Sequence, residues 1–330
     1  MTSKAEFRLG FVPLNDAAAL IVARDKGHFA AEGLSVELSR EASWATVRDK
    51  VAIGALDGAH MLAPLALAMA LGVGCEATPM IAPFTLNFGG AAMTVSTRLA
   101  AAVGLGGRAE GLAKLIARRR DQGASPLTFG VVFPYSTHNY LLRDWMARGG
   151  IEPDREVRLT VTPPPRSAEL LSEGVIEGFC AGEPWSQVAV RAGVGHIAMR
   201  SARFAPDAPD KVFATTHVWA EAHCDELQAL LRALLRASAW SEDPANRAEL
   251  VAILARPENV GVDGEAIEAG LGDIRFHRDG ANRPDVVQAL WILQQMARWG
   301  QVRIDPETTR TASRVYRPDL FDQAMKAAAA

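Results

Sequence analysis

The sequence has few cysteines, and their spacing excludes the usual cysteine frameworks. Cys75, Cys180 and Cys224 are the three cysteines, and they are widely separated. No C-x-x-C pair is present, so neither a zinc site nor a set of disulfides is predicted. An odd number of thiols fits a reducing compartment. The sequence also lacks a run of about 20 apolar residues, so no membrane insertion is expected.

Positive charge is not in excess either. Lysine and arginine number 35 against 38 acidic residues, for a net charge of −3, which opposes direct binding of nucleic acid. The one dense basic run, Arg118-Arg119-Arg120, ends a helical pattern, where cations complement the helix dipole. The first residues, Met1–Glu6, show no apolar segment or cleavage site. The sequence therefore predicts no secretory signal and a cytoplasmic location.

Motifs for catalysis, metals and nucleotides are also lacking. No G-x-S-x-G, H-E-x-x-H or paired-carboxylate pattern appears, and none of the seven histidines has a partner three to five residues away. Gly104–Ala109 matches a dinucleotide fingerprint loosely, but it follows the helical pattern Leu99–Val103 rather than a strand. The sequence thus predicts no enzyme, no cofactor and no metal site. Cys180 is the only candidate nucleophile for the opposite view.

What the sequence does contain is an alternation of strand and helix patterns, which predicts parallel βαβ units and an α/β fold. Beyond about residue 200 nearly every pattern is helical. Two successive β/α blocks with a return segment predict two lobes with a ligand cleft between them. Lobe I is expected to contain residues 1–96 and 200–330, and lobe II residues 97–199. Predicted strands cover 7–12, 34–38, 58–62, 80–86, 92–95, 127–132, 157–161, 176–179 and 211–216.

The stretch Gly178–Trp185 reads as a strand end, a glycine turn and the first turn of a helix. Gly182 suits a turn because glycine tolerates positive φ, and Pro184 suits the first helical position. Trp185 then has an indole N–H at a helix N-terminus, an arrangement that suits a small anion. The alternative is that Pro184 only begins a helix whose tryptophan is part of the core.

Three further residues are candidate ligand contacts. Trp44 is predicted in a loop between a strand and a helix, at the sheet edge where open α/β sheets bind ligands. His138 falls in the first turn of a helix, where a cationic imidazole is unfavourable without an anion. Lys211 adjoins a predicted strand. The alternatives are a core tryptophan, an exposed or merely hydrogen-bonded histidine, and a solvated surface lysine.

Together these motifs resemble the nitrate- and bicarbonate-binding proteins of ABC uptake systems, and most closely the cytoplasmic nitrate/nitrite sensors of the NasS type. The likeness runs over most of the chain, and the order of the motifs makes it specific. The motifs are Ala42-Ser43-Trp44-Ala45 with Arg48-Asp49, Asp57-Gly58-Ala59-His60, Leu86-Asn87 with Gly89-Gly90, Pro134–His138, Pro163-Pro164-Pro165 and Gly178–Trp185.

The resemblance implies a two-lobed, periplasmic-binding-protein-like fold (type II) with an anion between the lobes. By analogy, Trp44 would donate its indole N–H, and His138 would be a charge-assisted donor. Lys211 would be the cation that favours nitrate over bicarbonate. Gly182 would contribute a backbone N–H, and Trp185 a wall or a donor.

One position departs from the family pattern. An amide side chain is usual after the Gly-Gly turn, whereas this chain has Ala91. Asn87 or a backbone N–H could replace that donor, which leaves the choice of anion open.

The resemblance implies a cytoplasmic sensor of nitrate or nitrite. Its partner would be an ANTAR-type RNA-binding antiterminator (NasT-like), held inactive until the anion binds. The first alternative is the substrate-binding component of an ABC importer for nitrate, bicarbonate or a sulfonate. The second is an enzyme of the related thiamine-precursor type, which would need reactive chemistry at Cys180.

Overall fold

The computed structural model describes residues 6–104 and 109–329. Residues 1–5, and most of the loose fingerprint at Gly104–Ala109, lie outside the described residues. The strands are β1 (Glu6–Phe11), β2 (Ser35–Arg40), β3 (Gly58–Leu62), β4 (Met80–Gly89), β5 (Ala91–Ser96), β6 (Thr128–Val131), β7 (Arg158–Val161), β8 (Gly178–Gly182), β9 (Gly195–Arg200), β10 (Pro209–Thr216) and β11 (Ile274–Arg275).

Helices connect these strands and form nearly all of the chain after β10. They are α1 (Ala18–Asp25), α2 (His28–Ala31), α3 (Trp44–Ala52), α4 (Ala63–Leu71), α5 (Thr97–Val103), α6 (Glu110–Asp121), α7 (Thr137–Arg148), α8 (Pro153–Glu156), α9 (Ser167–Ser172), α10 (Trp185–Arg191), α11 (Ser201–Phe204), α12 (His217–Ala222), α13 (Cys224–Glu242), α14 (Arg247–Ala255), α15 (Gly264–Leu271), α16 (Val286–Arg298), α17 (Pro306–Val315) and α18 (Pro318–Ala329).

The strands form two sheets, one for each lobe. The sheet of lobe I has the order β11-β4-β10-β3-β1-β2, and that of lobe II has the order β7-β6-β8-β5-β9. Parallel pairs join β1 to β2 and β3, and β6 to β7 and β8. Antiparallel pairs involve the strands at which the chain changes sheet, β4 with β10 and β5 with β8 and β9. The predicted α/β fold is confirmed.

The first crossing between the sheets occurs earlier than the sequence analysis placed it. Ala91–Ser96 pairs with β8 and β9, so this segment belongs to the sheet of lobe II, although the boundary at residue 96 assigns it to lobe I. The chain crosses at Gly89 and Gly90, whose φ angles of 73° and 77° strongly favour glycine. A Cβ on Gly89 would also lie 2.3 Å from the Asp273 carbonyl oxygen.

Two serine N-caps fix the helix starts that matter for the site. Ser43 accepts a hydrogen bond from the Thr46 N–H at the start of α3, and Ser136 accepts one from the Asn139 N–H at the start of α7. Each cap satisfies a backbone donor that the helix itself leaves free. Trp44 is therefore the first residue of a helix rather than part of a loop, and His138 lies in a first turn as predicted.

Candidate functional site

A lysine ammonium lies between two carboxylates in the interior of the protein. Lys211 Nζ is 2.8 Å from Asp16 Oδ2 and 2.8 Å from Asp210 Oδ2. Asp16 follows β1 in a short 3-10 turn, and the other two residues are consecutive in β10. All three side chains are at most 3% exposed. Buried charges of this kind persist only when they are paired.

Two buried histidines extend this arrangement. His60 in β3 has Nε2 at 2.8 Å from Asp16 Oδ1, and His138 in α7 has Nε2 at 3.4 Å from Asp210 Oδ1. Asp16, His60, Asp210 and Lys211 come from lobe I, whereas His138 comes from lobe II. We refer to these five residues as the buried charge cluster.

The ionisation of the cluster follows from burial and pairing. Burial works against charge on Lys211, but the two carboxylates outweigh it and raise the pKa of Lys211. Burial likewise opposes the charge on Asp16 and Asp210, yet the facing Lys211 ammonium and the histidines lower the pKa of both carboxyl groups. Burial lowers the pKa of His60. Near neutral pH the lysine and both carboxylates are therefore ionised, and His60 is neutral.

Several buried polar atoms around the cluster have no hydrogen-bond partner within residues 6–104 and 109–329. They include Trp44 Nε1, His60 Nδ1 and both ring nitrogens of His138. The Trp44 ring lies 5.3 Å from the His60 ring and 5.7 Å from Lys211 Nζ. A buried polar group without a partner is costly and therefore uncommon. Beside one ammonium group, these unpartnered atoms have the chemistry to pair with a small polar ligand.

Gly182 and Asn87 adjoin the cluster. The sequence predicts Gly182 in a turn, but in the structure Gly182 is the last residue of β8 and does not have the positive φ of a glycine turn. A Cβ there would lie 3.2 Å from Asp16 Oδ2 and 3.3 Å from Leu14 Cδ2, so a glycine permits the close approach of the two lobes. Asn87 is the strand partner of Lys211, and its Nδ2 donates to the Gly89 carbonyl at 3.1 Å.

Trp185 differs from the other predicted site residues because its indole N–H is not free. It donates to the Pro13 carbonyl at 2.9 Å and so links α10 of lobe II to the segment after β1. Pro184 is the N-cap residue of α10, not its first helical residue. A second link between the lobes runs from Thr137 Oγ1 to the Pro209 carbonyl at 2.5 Å. These two hydrogen bonds thus join lobe II to segments of lobe I that carry Asp16 and Asp210.

The structure therefore brings Trp44, His138 and Lys211 together, and it adds three residues that the sequence analysis did not select. Asp16 follows the carboxyl end of a buried strand, a position that could have been noticed. Asp210 is the neighbour of Lys211 in sequence. His60 gave no separate signal, because a histidine inside an apolar strand looks like any buried polar residue.

Residues 2–255 match the model of the NMT1-like family. The chain belongs to the NMT1-like family. The nitrate/nitrite binding protein NrtA of Nostoc sp. is 32% identical over 347 residues, covering 99% of this chain and 77% of that protein. The crystal structure of the periplasmic nitrate-binding protein NrtA from Synechocystis aligns with a TM-score of 0.92 at 29% identity, covering 98% of this chain and 89% of that one.

A second kind of relative is longer. The nitrate import ATP-binding protein NrtC of Synechocystis sp. is 35% identical over 342 residues and covers 98% of this chain. The chain spans about half the length of that relative, 50%. These likenesses confirm the resemblance to nitrate- and bicarbonate-binding proteins at the level of the family and confirm the two-lobed fold.

Two general properties complete the description. Among residues 6–104 and 109–329, no helix combines the length and apolar character needed to cross a bilayer. Over the same residues, no group of three or more His, Cys, Asp or Glu side chains is arranged to hold a metal ion.

Proposed function

We propose that this protein binds nitrate or nitrite at the buried charge cluster, between its two lobes. The observation that carries the proposal is the unpartnered indole N–H of Trp44 beside the Lys211 ammonium. It adds a neutral donor to a cation in a site closed to water. NrtA relatives named as nitrate/nitrite binding proteins support the same ligand class.

The proposed roles follow from the shape and charge of the anion. Nitrate is planar, carries one negative charge and has three acceptor oxygens, so it needs converging donors and a compensating cation. Lys211 has three donor hydrogens; one is donated to Asp16 Oδ2, and the ammonium also forms an ion pair with Asp210. Trp44 can donate but not accept, and His138 brings a donor from lobe II. The backbone N–H of Gly182 completes the set.

Ala91 replaces the amide that the family pattern places after the Gly-Gly turn. Its backbone N–H donates to Ser201 Oγ at 3.0 Å, so it is already engaged. Asn87 Nδ2 uses one hydrogen for the Gly89 carbonyl and has a second one to offer. Asn87 is therefore the replacement donor in this proposal. Trp185, which binds the Pro13 carbonyl, acts as a wall.

Ligand-dependent thermal melts test the proposal, because a ligand that prefers the native state raises the melting temperature. We expect an upward shift with sodium nitrate or nitrite, and smaller shifts or none with bicarbonate and methanesulfonate. Trp44→Phe removes the free donor and should weaken nitrate binding about tenfold, the size of one hydrogen bond.

Trp219→Phe is the matched control for this experiment. Its Nε1 is also buried without a hydrogen-bond partner among the described residues. Trp219 itself lies in α12, beyond the end of β10 that is farther from Lys211. This variant should keep the nitrate response of the unmodified protein. If neither nitrate nor nitrite raised the melting temperature of the unmodified protein or of either variant, the ligand assignment would be overturned.

The finer part of the proposal is a cytoplasmic sensor that controls an ANTAR-type, NasT-like antiterminator. Donors from both lobes make closure depend on the anion, and such closure can change the surface that a partner meets. The test is size-exclusion chromatography of this protein mixed with the antiterminator. We expect a complex without nitrate that dissociates when nitrate is added.

The alternative is the substrate-binding component of an ABC importer, which the NrtA and NrtC relatives support equally. An importer component should stimulate ATP hydrolysis by a nitrate permease and ATPase in vesicles when nitrate is bound. It should not form a complex with the antiterminator. The two outcomes exclude each other in these assays.

A further inference from the structure

The buried charge cluster carries a negative net charge before any histidine is protonated. Asp16 and Asp210 contribute two negative charges, and Lys211 contributes one positive charge, leaving a net charge of −1. A monovalent anion would bring this total to −2 in a site closed to water. Burying uncompensated charge is costly, so an anion needs a further positive charge to arrive with it.

His60 can supply that charge by taking up a proton. Its Nε2 lies 2.8 Å from Asp16 Oδ1, and because this carboxylate is ionised and can only accept, Nε2 carries the hydrogen. Nδ1 is then a lone pair, and it is buried without a hydrogen-bond partner in the described part of the chain. A proton on Nδ1 would create a charge-assisted donor within the cluster.

The groups around His60 determine when it takes that proton. Asp16 faces it from the turn after β1, Asp210 and Lys211 act on it from β10, and the Trp44 ring packs against it from α3. Across Asp210 lie two groups of lobe II: His138 of α7 and Cys180 of β8, whose pKa burial raises so that it stays a neutral thiol.

Burial lowers the pKa of His60, so the ring is neutral near pH 7. A bound anion next to the ring, in addition to the Asp16 carboxylate, would favour the imidazolium form and so raise the pKa of His60.

We propose that the cluster takes up its anion together with one proton, which is bound by Nδ1 of His60. The proposal rests on the nitrate or nitrite binding proposed above and specifies how that site balances charge. The proton comes from the solvent, one N–H bond forms, and the ligand remains a monovalent anion. Because coupling between two ligands is reciprocal, the proton strengthens anion binding by the factor by which the anion strengthens proton binding.

Proton uptake is measured directly on addition of sodium nitrate to weakly buffered protein, with the dissociation constant determined by calorimetry between pH 6 and 8. Sulfonate buffers are avoided because a sulfonate is one of the ligands considered for the alternative importer function. We expect uptake approaching one proton per nitrate at pH 7 to 8, and a Kd that rises by up to about tenfold per pH unit, the dependence for one coupled proton.

Two variants locate the proton. His60→Gln keeps an N–H donor for Asp16 Oδ1 but cannot be protonated, so nitrate should bind with little proton uptake and a Kd nearly independent of pH. Asp16→Asn removes one negative charge at similar shape, so nitrate should bind more tightly at pH 8 and with less uptake. His28→Gln is the control, since His28 Nε2 is likewise buried without a partner among the described residues but lies in α2; it should behave as the unmodified protein.

The outcomes separate the two proposals. Nitrate binding with a constant Kd and no proton uptake overturns the proton coupling and leaves the nitrate site intact. Uptake that persists unchanged in His60→Gln also overturns it, because the carrier would be another group. Absence of nitrate binding at every pH overturns both proposals together.

Discussion

Two sites in this protein bury carboxylates to the same extent but shift the pKa of those carboxyl groups in opposite directions. Asp16 and Asp210 in the buried charge cluster face the Lys211 ammonium, and their pKa values are lowered. Glu183, in the segment between β8 and α10, is 1% exposed, and burial raises its pKa to about 7. Burial is the same in the two sites, so the partners explain the difference.

The partners of Glu183 are mostly neutral. Its Oε1 accepts from Gln187 Nε2 and its Oε2 accepts from the Gln187 backbone N–H, each at 3.2 Å. The nearest cation, Arg200, has Nη1 at 3.9 Å and is already paired with Asp273. Hydrogen bonds to an amide do not offset the lost hydration of a carboxylate. A cation in contact does, which is why Asp16 and Asp210 are ionised at neutral pH whereas Glu183 is only partly ionised.

The comparison also separates the roles of the two sites. Glu183 joins the lobes through its backbone, which donates to the Gly90 carbonyl and accepts from the Asn15 N–H. The buried charge cluster instead leaves polar side-chain atoms free beside a cation. The first arrangement links the two lobes, and the second is where we propose that the anion binds. Variants that change one partner at a time test this contrast.

The largest effect is expected from Lys211→Met, which removes the cation and leaves two carboxylates buried together. We expect the free energy of unfolding at pH 7 to fall by about 3–5 kcal/mol, the usual cost of breaking a buried pair. Urea denaturation measures it. Nitrate binding should be lost in the same variant.

Two companion variants interpret that result. Asp210→Asn combined with Lys211→Met should recover part of the lost stability, because one uncompensated charge is gone. Lys26→Met removes a lysine that pairs with Glu249 while 33% exposed, and it should cost less than about 1 kcal/mol. If Lys211→Met were as mild as Lys26→Met, the cluster would not hold the buried charges described.

A smaller effect of opposite sign is expected from Glu183→Gln. The pKa of Glu183 is about 7 in the folded protein and 4.5 ordinarily, so the unfolded chain loses this proton at lower pH. The contribution of Glu183 to stability is therefore full below pH 4.5 and is lost as pH rises through 7.

The amide resembles the protonated acid, so Glu183→Gln should be more stable than the unmodified protein at pH 8, by about 3 kcal/mol for this pKa difference. The advantage should disappear near pH 4.5. Urea denaturation at pH 5, 6.5 and 8 measures it. Glu169→Gln, at a side chain that is 54% exposed, is the control and should show no such trend. A pH-independent difference for Glu183→Gln would contradict the raised pKa.

The same contrast explains what the sequence could and could not predict. The α/β fold followed from strand and helix periodicity, Trp44 and His138 stood out at strand and helix ends, and the family resemblance selected Lys211. The companions Asp16, His60 and Asp210 could not be found in that way, because a buried ion pair joins residues far apart in sequence. Lys211 and Asp16 are 195 positions apart, and no local pattern pairs them.

Local patterns also misjudged Gly182 and Trp185, again because long-range contacts decide their roles. Gly182 looked like a turn residue, but its lack of a side chain serves the approach of Asp16 from the other lobe. The indole of Trp185 looked free until the fold placed the Pro13 carbonyl against it. Neither contact is visible within eight residues of sequence.

The smallest effect is expected where a charge pair between the lobes is exposed instead of buried. Arg191 in α10 lies 2.5 Å from Glu265 and 3.2 Å from Asp263, both on the side of α15. The three side chains are 44%, 74% and 60% exposed, so water already solvates each charge. Arg191→Gln should change the free energy of unfolding by about 0.5 kcal/mol or less. The change should vanish in about 1 M NaCl, where the screening length is about 3 Å.

A double-mutant cycle of Arg191→Gln with Glu265→Gln isolates the pair, and a coupling energy as large as the Lys211 effect would mean that pairing alone, without burial, determines the strength of these contacts.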